Sequence, residues 1–276
     1  MKLICENVII KVIAFKFKAI LLSVYKKAVY CFFKETHSFL IITIIGDNSM
    51  NIKPMDLAKY IDHTVLKADA TASDVEKICK EADEYKFASV CINPFQVPLA
   101  NKLLKDSSVK VCTVIGFPLG ATTKEAKAFE AIKAVADGAD EVDMVLNVGA
   151  MKAGNFDYVE EDIRLLVNSI PEHICVKVSL EICYLTDAEI KKASELTMKA
   201  GANFVKTSTG FGTGGATVEA VRIMKGVVGD KLEVKASGAI RDYETAKKMV
   251  ENGATRLGVS AGIAIVTATE AKGSGY

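Results

Sequence analysis

The chain has 276 residues, which is enough for one large domain or two ordinary ones. Half of its residues are hydrophobic and a quarter are charged, as in globular proteins with ample core material. The net charge of +1 provides no electrostatic reason to bind nucleic acid or an anionic membrane, so neither is expected as a partner.

The cysteines are inconsistent with a disulfide framework. They number seven, and they are Cys5, Cys31, Cys79, Cys91, Cys112, Cys175 and Cys183. No two of them form a Cys-x-x-Cys pair, and five lie in apolar strand or helix patterns, where free cysteine behaves as a small hydrophobe. This usage predicts a reducing, cytoplasmic location and no zinc site.

Residues 1–49 differ in composition from the rest of the chain. They contain seven lysines and three acidic residues, a net charge of +4 that leaves −3 for the remainder. Lysines interrupt the apolar run, which is therefore too short and too charged for a membrane span of roughly 20 residues. We interpret 1–49 as an extension outside the fold, with Met50 as the native start and 50–276 as the catalytic domain. The alternative is an amphipathic anchor at a membrane surface.

From Met50 onward, strand patterns alternate with helix patterns. The predicted strands are 61–66, 88–93, 110–117, 141–147, 174–181, 204–209, 232–238 and 255–260. Capping boxes at Ser73-x-x-Glu76, Thr122-x-x-Glu125 and Thr186-x-x-Glu189 predict the starts of three helices. Helix ends are predicted at Gly138, Gly201 and Gly253, because glycine at this position readily takes the left-handed conformation.

Eight strands alternating with helices predict an α/β protein with a single (β/α)8 TIM barrel, a fold that typically takes about 250 residues. A doubly wound open sheet is the alternative. It usually has fewer strands and a glycine-rich turn after the first one, so the barrel is favoured.

The most informative stretch, ANFVKTSTGFGTGGAT, runs from Ala202 to Thr217. It places Lys206 inside a strand, where parallel sheets normally carry apolar residues. A buried ammonium group must be paired, neutral or chemically used. The glycines that follow bring backbone N–H groups together, as anion-binding loops do. This combination indicates covalent chemistry on a small phosphorylated carbonyl compound.

Further polar residues are expected at the carboxyl ends of the strands, where barrel enzymes carry their active sites. The candidates are Asp62, Thr64, Cys91, Asp143, Lys177, Lys206 and Lys235. Any one of the charged residues among them could, by itself, simply fill the lumen as an ion-pair partner. Two lysines on adjacent strands favour catalysis, because their repulsion should lower the pKa of at least one below about 10.4. A Schiff-base nucleophile must be a neutral amine.

Three segments, EVDMVLNVGA, FVKTSTGF and VKASGAIRD, resemble in order and spacing the motifs of deoxyribose-phosphate aldolase, a class I aldolase family. The resemblance extends from about Met55 to about Ile265. It implies a (β/α)8 barrel without metal or other cofactor. It also implies reversible cleavage of 2-deoxy-D-ribose 5-phosphate to acetaldehyde and D-glyceraldehyde 3-phosphate, in deoxyribonucleoside catabolism.

The resemblance also implies roles for individual residues. Lys206 would form the Schiff base, Lys235 would perturb its pKa and assist proton transfer, and Asp143 would act with Lys235 as general acid and base. Substrate-binding roles are implied for Asp62 and Thr64, facing the sugar hydroxyls, and for Gly210, Gly238 and Ser260, in the phosphate-binding turns.

Two residues depart from the family pattern beside the phosphate site. Ala239 replaces a usual glycine and Ala261 a usual serine, which leaves phosphate affinity open. Two rival functions also remain: a Schiff-base aldolase for another aldehyde pair, and a non-catalytic phosphate-binding barrel tethered through residues 1–49. A homodimer and a homotetramer are both compatible with the sequence.

Overall fold

A computed structural model describes residues 52–270, so the predicted extension over 1–49 lies outside the described residues. Eight parallel strands form a closed barrel in the order β1 to β8, with β8 paired to β1. The strands are β1 Ile61–Val65, β2 Ser89–Ile92, β3 Lys110–Ile115, β4 Glu141–Val145, β5 Cys175–Ser179, β6 Phe204–Lys206, β7 Glu233–Ser237 and β8 Arg256–Val259. The predicted TIM barrel is confirmed, and the open sheet is wrong.

Helices occupy the connections between the strands. They are α1 Ala72–Tyr85, α2 Val97–Leu104, α3 Lys124–Ala136, α4 Val148–Lys152, α5 Phe156–Ser169, α6 Asp187–Ala200, α7 Val218–Val228, α8 Tyr243–Glu251 and α9 Gly262–Thr267. Short 3-10 turns cover Pro94–Gln96 and Ile182–Tyr184, and a longer one, Pro54–Tyr60, precedes β1. None of the helices described between residues 52 and 270 combines the length and apolar character needed to cross a membrane.

Every predicted strand is present, but each ends earlier than the sequence indicated. The prediction for β6 ran to residue 209, whereas regular pairing stops at Lys206. The strand β3 stops before Gly116, whose φ of +63° turns the chain out of the extended conformation. The backbone after β5 turns in the same way at Glu181, with φ +54°. The carboxyl ends of the strands therefore bend into loops instead of continuing the sheet.

Two predicted helix caps are wrong. The start of α1 is capped by Thr71, whose hydroxyl accepts from the Asp74 N–H at 3.4 Å, and not by Ser73. The start of α3 is capped by Thr123 instead of Thr122, since the Thr123 hydroxyl accepts from the Ala126 N–H at 3.3 Å. In both stretches several hydroxyl and acidic residues are close together, so local sequence offers competing registers for the same cap.

The other predicted helix boundaries are confirmed. Thr186 and Glu189 form the capping box of α6. Gly138, Gly201 and Gly253 all have positive φ where helices end. Three helices were missed, namely α2, α4 and α9. The first of them carries Pro98 in its opening turn, where a missing N–H removes no helical hydrogen bond.

The core has an outer and an inner part. The outer part packs the helices against the strands and contains most of the buried apolar side chains. One buried ion pair lies among these helices, where Lys127 of α3 contacts Asp162 of α5 at 2.5 Å. The inner part, the barrel lumen, contains a small apolar cluster of Leu66, Cys91, Cys112 and Val114. The rest of the lumen is polar and forms the candidate site.

Candidate active site

Seven charged side chains meet inside the barrel and are called here the lumen cluster. They are Asp62 of β1, Glu141 and Asp143 of β4, Lys177 of β5, Lys206 of β6, Lys235 of β7 and Arg256 of β8. They lie together because alternate residues of a strand point to the same side of a sheet. All are buried except Arg256, whose side chain is 16% exposed.

Asp143 is the centre of the cluster and is itself buried. One carboxylate oxygen accepts from Lys177 at 2.8 Å, and the other accepts from Lys206 at 2.9 Å and from Lys235 at 2.6 Å. Burial alone would raise the pKa of Asp143, but the three ammonium groups outweigh it and hold this pKa well below its usual value. The carboxylate is therefore ionised wherever the protein is folded at neutral pH.

Lys235 is surrounded by more negative charge than the sequence indicated. Burial acts to lower its pKa, but the carboxylates of Asp143 and Asp62 outweigh burial, so the pKa is raised well above its usual value. The argument from repulsion between two lysines considered a single acid, Asp143. Asp62, which also pairs with Lys235, supplies a second one. Lys235 is therefore a stable cation.

Lys206 differs from its two lysine neighbours in the number of its ion-pair partners. Lys177 pairs with Glu141 as well as Asp143, and Lys235 pairs with Asp62 as well as Asp143. In the part of the chain that the structure describes, Lys206 pairs with Asp143 alone. Its amine is therefore the least compensated of the three.

Near the amino ends of the strands, the cluster includes two residues that the sequence did not single out, Glu141 and Arg256. Arg256 donates to Asp62 at 2.7 Å and to Glu141 at 3.2 Å. For Glu141 the sequence contains one indication of a place in the lumen: it lies two residues before Asp143 and therefore on the same face of β4. Together these contacts fix Asp62, whose pKa is lowered: burial opposes the shift, and Lys235 and Arg256 outweigh it.

Thr64 lies on β1, two residues after Asp62 and on the same face of the strand. Its hydroxyl donates to the backbone oxygen of Asp62 at 2.8 Å, and the side chain is buried. His63, between them, points out of the lumen. Its ring contacts the Glu81 carboxylate at 2.7 Å and the Phe87 ring edge-on, so it is part of the packing outside the lumen.

The three predicted phosphate turns follow β6, β7 and β8. Gly210 and Gly238 have φ of +89° and +79°, a conformation that favours glycine. These two turns touch, because a Cβ added to Gly238 would lie 3.6 Å from the Gly210 Cα. The Ala216 N–H bonds to the Gly238 oxygen at 3.1 Å and ties the two loops together. Ser260 is exposed directly after β8.

Cys91 and Cys112 are register partners on β2 and β3 beside Asp143. Their sulfur atoms and an Asp143 oxygen lie within 4.8 Å of one another, a spacing that a metal ion could bridge. Three ammonium groups already surround the Asp143 carboxylate, however, and they would repel a cation. The cysteines instead provide, with Leu66 and Val114, an apolar wall next to the lysines.

Three buried lysines therefore converge on one aspartate inside the barrel, a fold whose enzymes carry their active sites at the carboxyl ends of the strands. Residues 57–268 match the family model described as DeoC/LacD family aldolase. The chain belongs to this family of aldolases, which are carbon–carbon lyases.

Individual relatives agree with the family match. A deoxyribose-phosphate aldolase of Carboxydothermus hydrogenoformans is 61% identical over 213 residues, which cover 76% of this chain and 93% of the relative. The solved structure of QR15, an aldolase, superimposes with a TM-score of 0.74 at 43% identity, over 77% of this chain and 95% of its own. A tetrameric deoxyribose phosphate aldolase of Aeropyrum pernix gives a TM-score of 0.73 at 32% identity, over 78% and 91%.

Proposed function

We propose that this aldolase cleaves 2-deoxy-D-ribose 5-phosphate reversibly into acetaldehyde and D-glyceraldehyde 3-phosphate through a Schiff base on Lys206. The observation that carries the proposal is the arrangement of Lys206 and Lys235 on the same oxygen of Asp143, at 2.9 and 2.6 Å. The relatives named above support the choice of substrate.

The reaction begins when the neutral Lys206 nitrogen adds to the C1 aldehyde of the open-chain sugar and water leaves, forming a protonated imine. The imine attracts electrons, so the C2–C3 bond breaks and its electron pair forms an enamine. The C3 hydroxyl loses its proton and becomes the aldehyde of glyceraldehyde 3-phosphate. Protonation of the enamine at C2 and hydrolysis of the imine then release acetaldehyde and regenerate the amine.

Asp143 and Lys235 divide the proton transfers between them. Before attack, Lys206 must lose a proton, and the ionised Asp143 carboxylate is the acceptor in contact with it. Lys235 bonds to the same carboxylate oxygen and, with its raised pKa, stays protonated as a proton donor. The general base, an Asp143 oxygen, therefore contacts both the nucleophile Lys206 and the general acid Lys235.

The remaining sequence predictions complete the proposal. Asp62 and Thr64 orient the sugar hydroxyls, and the turns at Gly210, Gly238 and Ser260 hold the phosphate, as the turns after the last strands of this fold commonly do. The enzyme works without metal or other cofactor, in the cytoplasm, in deoxyribonucleoside breakdown. The tetrameric relative supports a homo-oligomer, either dimer or tetramer.

The test is borohydride reduction in the presence of acetaldehyde or 2-deoxyribose 5-phosphate, followed by intact-mass analysis. Wild type and Lys206→Ala are treated in parallel, each with a control lacking aldehyde. A stable adduct on wild type alone, mapped to Lys206, is the expected result. Absence of an adduct on both proteins would contradict the proposal and favour the phosphate-binding barrel. Turnover compared with ketose phosphates separates this substrate from other aldehyde pairs.

A further inference from the structure

Glu181 is a buried carboxylate that the proposed chemistry does not use. It follows β5, is 3% exposed, and has a left-handed backbone with φ +54°. Both the burial of a carboxylate and positive φ in a non-glycine residue cost free energy. Among residues 52–270 no lysine, arginine or histidine forms an ion pair with it. The free-energy cost of burying Glu181 must therefore be offset by contacts other than ion pairs.

Those contacts are to the loop that follows the nucleophile. Both carboxylate oxygens accept from the Thr209 N–H at 3.3 Å, and one of them also accepts from the Thr209 hydroxyl. The backbone on either side of Glu181 is fixed as well, since the Leu180 N–H bonds to the Lys206 oxygen at 2.9 Å and the Ile182 N–H bonds to the Thr207 oxygen at 3.0 Å. Glu181 thus joins the end of β5 to the loop after Lys206.

The same contacts determine which backbone N–H groups of the loop remain free. The Thr209 N–H is used by Glu181, and the Phe211 N–H donates to the Thr209 hydroxyl oxygen at 3.0 Å. No acceptor within residues 52–270 takes the N–H of Gly210 between them. Gly212 passes close over the carboxylate, because a Cβ added there would lie 3.2 Å from the Glu181 Cδ. The position of Glu181 therefore sets the path of residues 209–212.

We infer that Glu181 is a positioning residue for phosphate recognition, which shapes the 209–212 loop so that the N–H of Gly210 faces the phosphate of the substrate. A carboxylate is unsuited to bind phosphate itself, since like charges repel. It acts instead through Thr209 and the backbone. The inference rests on the proposed function, because it assigns the phosphate to this loop.

The experiment compares the whole-chain variants Glu181→Ala and Glu181→Gln with wild type. The readout is the ratio of kcat/KM for 2-deoxyribose 5-phosphate to kcat/KM for unphosphorylated 2-deoxyribose. Glu181→Ala is expected to reduce this ratio about tenfold, as for loss of charge-assisted hydrogen bonds, while turnover of the unphosphorylated sugar changes by less than about twofold. Glu181→Gln should restore most of the ratio, because an amide can accept from the Thr209 N–H and donate to its hydroxyl.

Glu160→Gln is the matched control. This carboxylate also accepts two hydrogen bonds, from Arg164 and Lys199, but these residues lie on the outer helices α5 and α6. The ratio of the two kcat/KM values measured for Glu160→Gln should equal that of wild type. If Glu181→Ala does not fold, Thr209→Val tests the same link by removing only the hydroxyl. A ratio that stays at the wild-type value, whether kcat/KM is unchanged or falls equally with both sugars, would overturn the inference.

Calorimetric titration with inorganic phosphate separates this inference from the proposed function. It needs no turnover, so it remains informative if wild type forms no imine. Weaker phosphate binding by Glu181→Ala than by wild type and Glu160→Gln supports the positioning role. Equal binding by all three proteins contradicts it, whatever the outcome of the borohydride experiment.

Discussion

Two groups of buried charges in this molecule have net pKa shifts in opposite directions. In the pair between α3 and α5, burial lowers the pKa of Lys127 and raises that of Asp162, although each partner opposes the shift. In the lumen cluster, the pKa of Asp143 is lowered and that of Lys235 is raised. One partner does not offset the desolvation of a buried ion, whereas several partners do.

The two groups also differ in charge balance. The helix pair has one cation and one anion, so it is neutral. The lumen cluster has four cationic side chains and three carboxylates, which leaves one positive charge in excess. Lys206 has one ion-pair partner among residues 52–270, fewer than Lys177 or Lys235. We therefore expect the balanced pair to contribute to stability and Lys206 to contribute to the proposed chemistry.

Lys206→Met tests the lumen side of this comparison and has the largest expected effect. Loss of the proposed nucleophile should reduce kcat by about four orders of magnitude. The free energy of unfolding should not fall, because the remaining three cations balance three carboxylates. Steady-state kinetics and urea denaturation of the same preparation measure both quantities. A variant that is clearly less stable than wild type would show that the Lys206 charge is structural.

Lys127→Met tests the helix pair and should have the reverse pattern. The side chain is fully buried, and it also donates to the Val145 oxygen at 2.9 Å. Its removal leaves Asp162 buried without a cation, which should lower the free energy of unfolding by about 3 to 5 kcal/mol. The fall is measured by urea denaturation. In protein that remains folded, kcat should stay close to the wild-type value.

The double variant Lys127→Met, Asp162→Leu is the control for this prediction. Replacing both partners by apolar residues removes the uncompensated charge, so stability should return to near the wild-type value. If the double variant were as unstable as Lys127→Met, poor packing rather than the unpaired carboxylate would explain the loss.

The same comparison explains what the sequence could predict. Lys206 and Lys235 lie in strands, where a lysine contrasts with the apolar pattern, so both were identified from local sequence alone. Lys127 lies in an amphipathic helix, where lysines are normally exposed. Its burial depends on Asp162, 35 residues later, and local periodicity contains no information about that contact. Arg256 and Glu181 escaped notice for the same reason, because their partners come from distant strands and loops.

Local sequence also failed where hydrogen bonds compete. The helices α1 and α3 were predicted to begin at the wrong hydroxyl, because neighbouring residues could each form a cap of similar strength. The raised pKa of Lys235 likewise depends on its ion pair with Asp62. The alternation of residues along β1 indicates which face of the strand carries Asp62, but it does not indicate which residue Asp62 contacts. Pairing partners across the barrel are a property of the fold.

The smallest expected effect concerns the loops after β7 and β8, which contrast with the lumen because the backbone conformation, and not the charge, is unusual at Ala239. Ala239 has φ +61°, a conformation that costs an alanine roughly 1 kcal/mol and a glycine almost nothing. Ala239→Gly should therefore raise the free energy of unfolding by about 1 kcal/mol or slightly less, since glycine also gains entropy in the unfolded chain. Ala261, the other departure from the family pattern, has φ −97°, so Ala261→Gly should bring no gain. Urea denaturation of both variants measures the difference, and equal responses at the two positions would show that the backbone at Ala239 is unstrained.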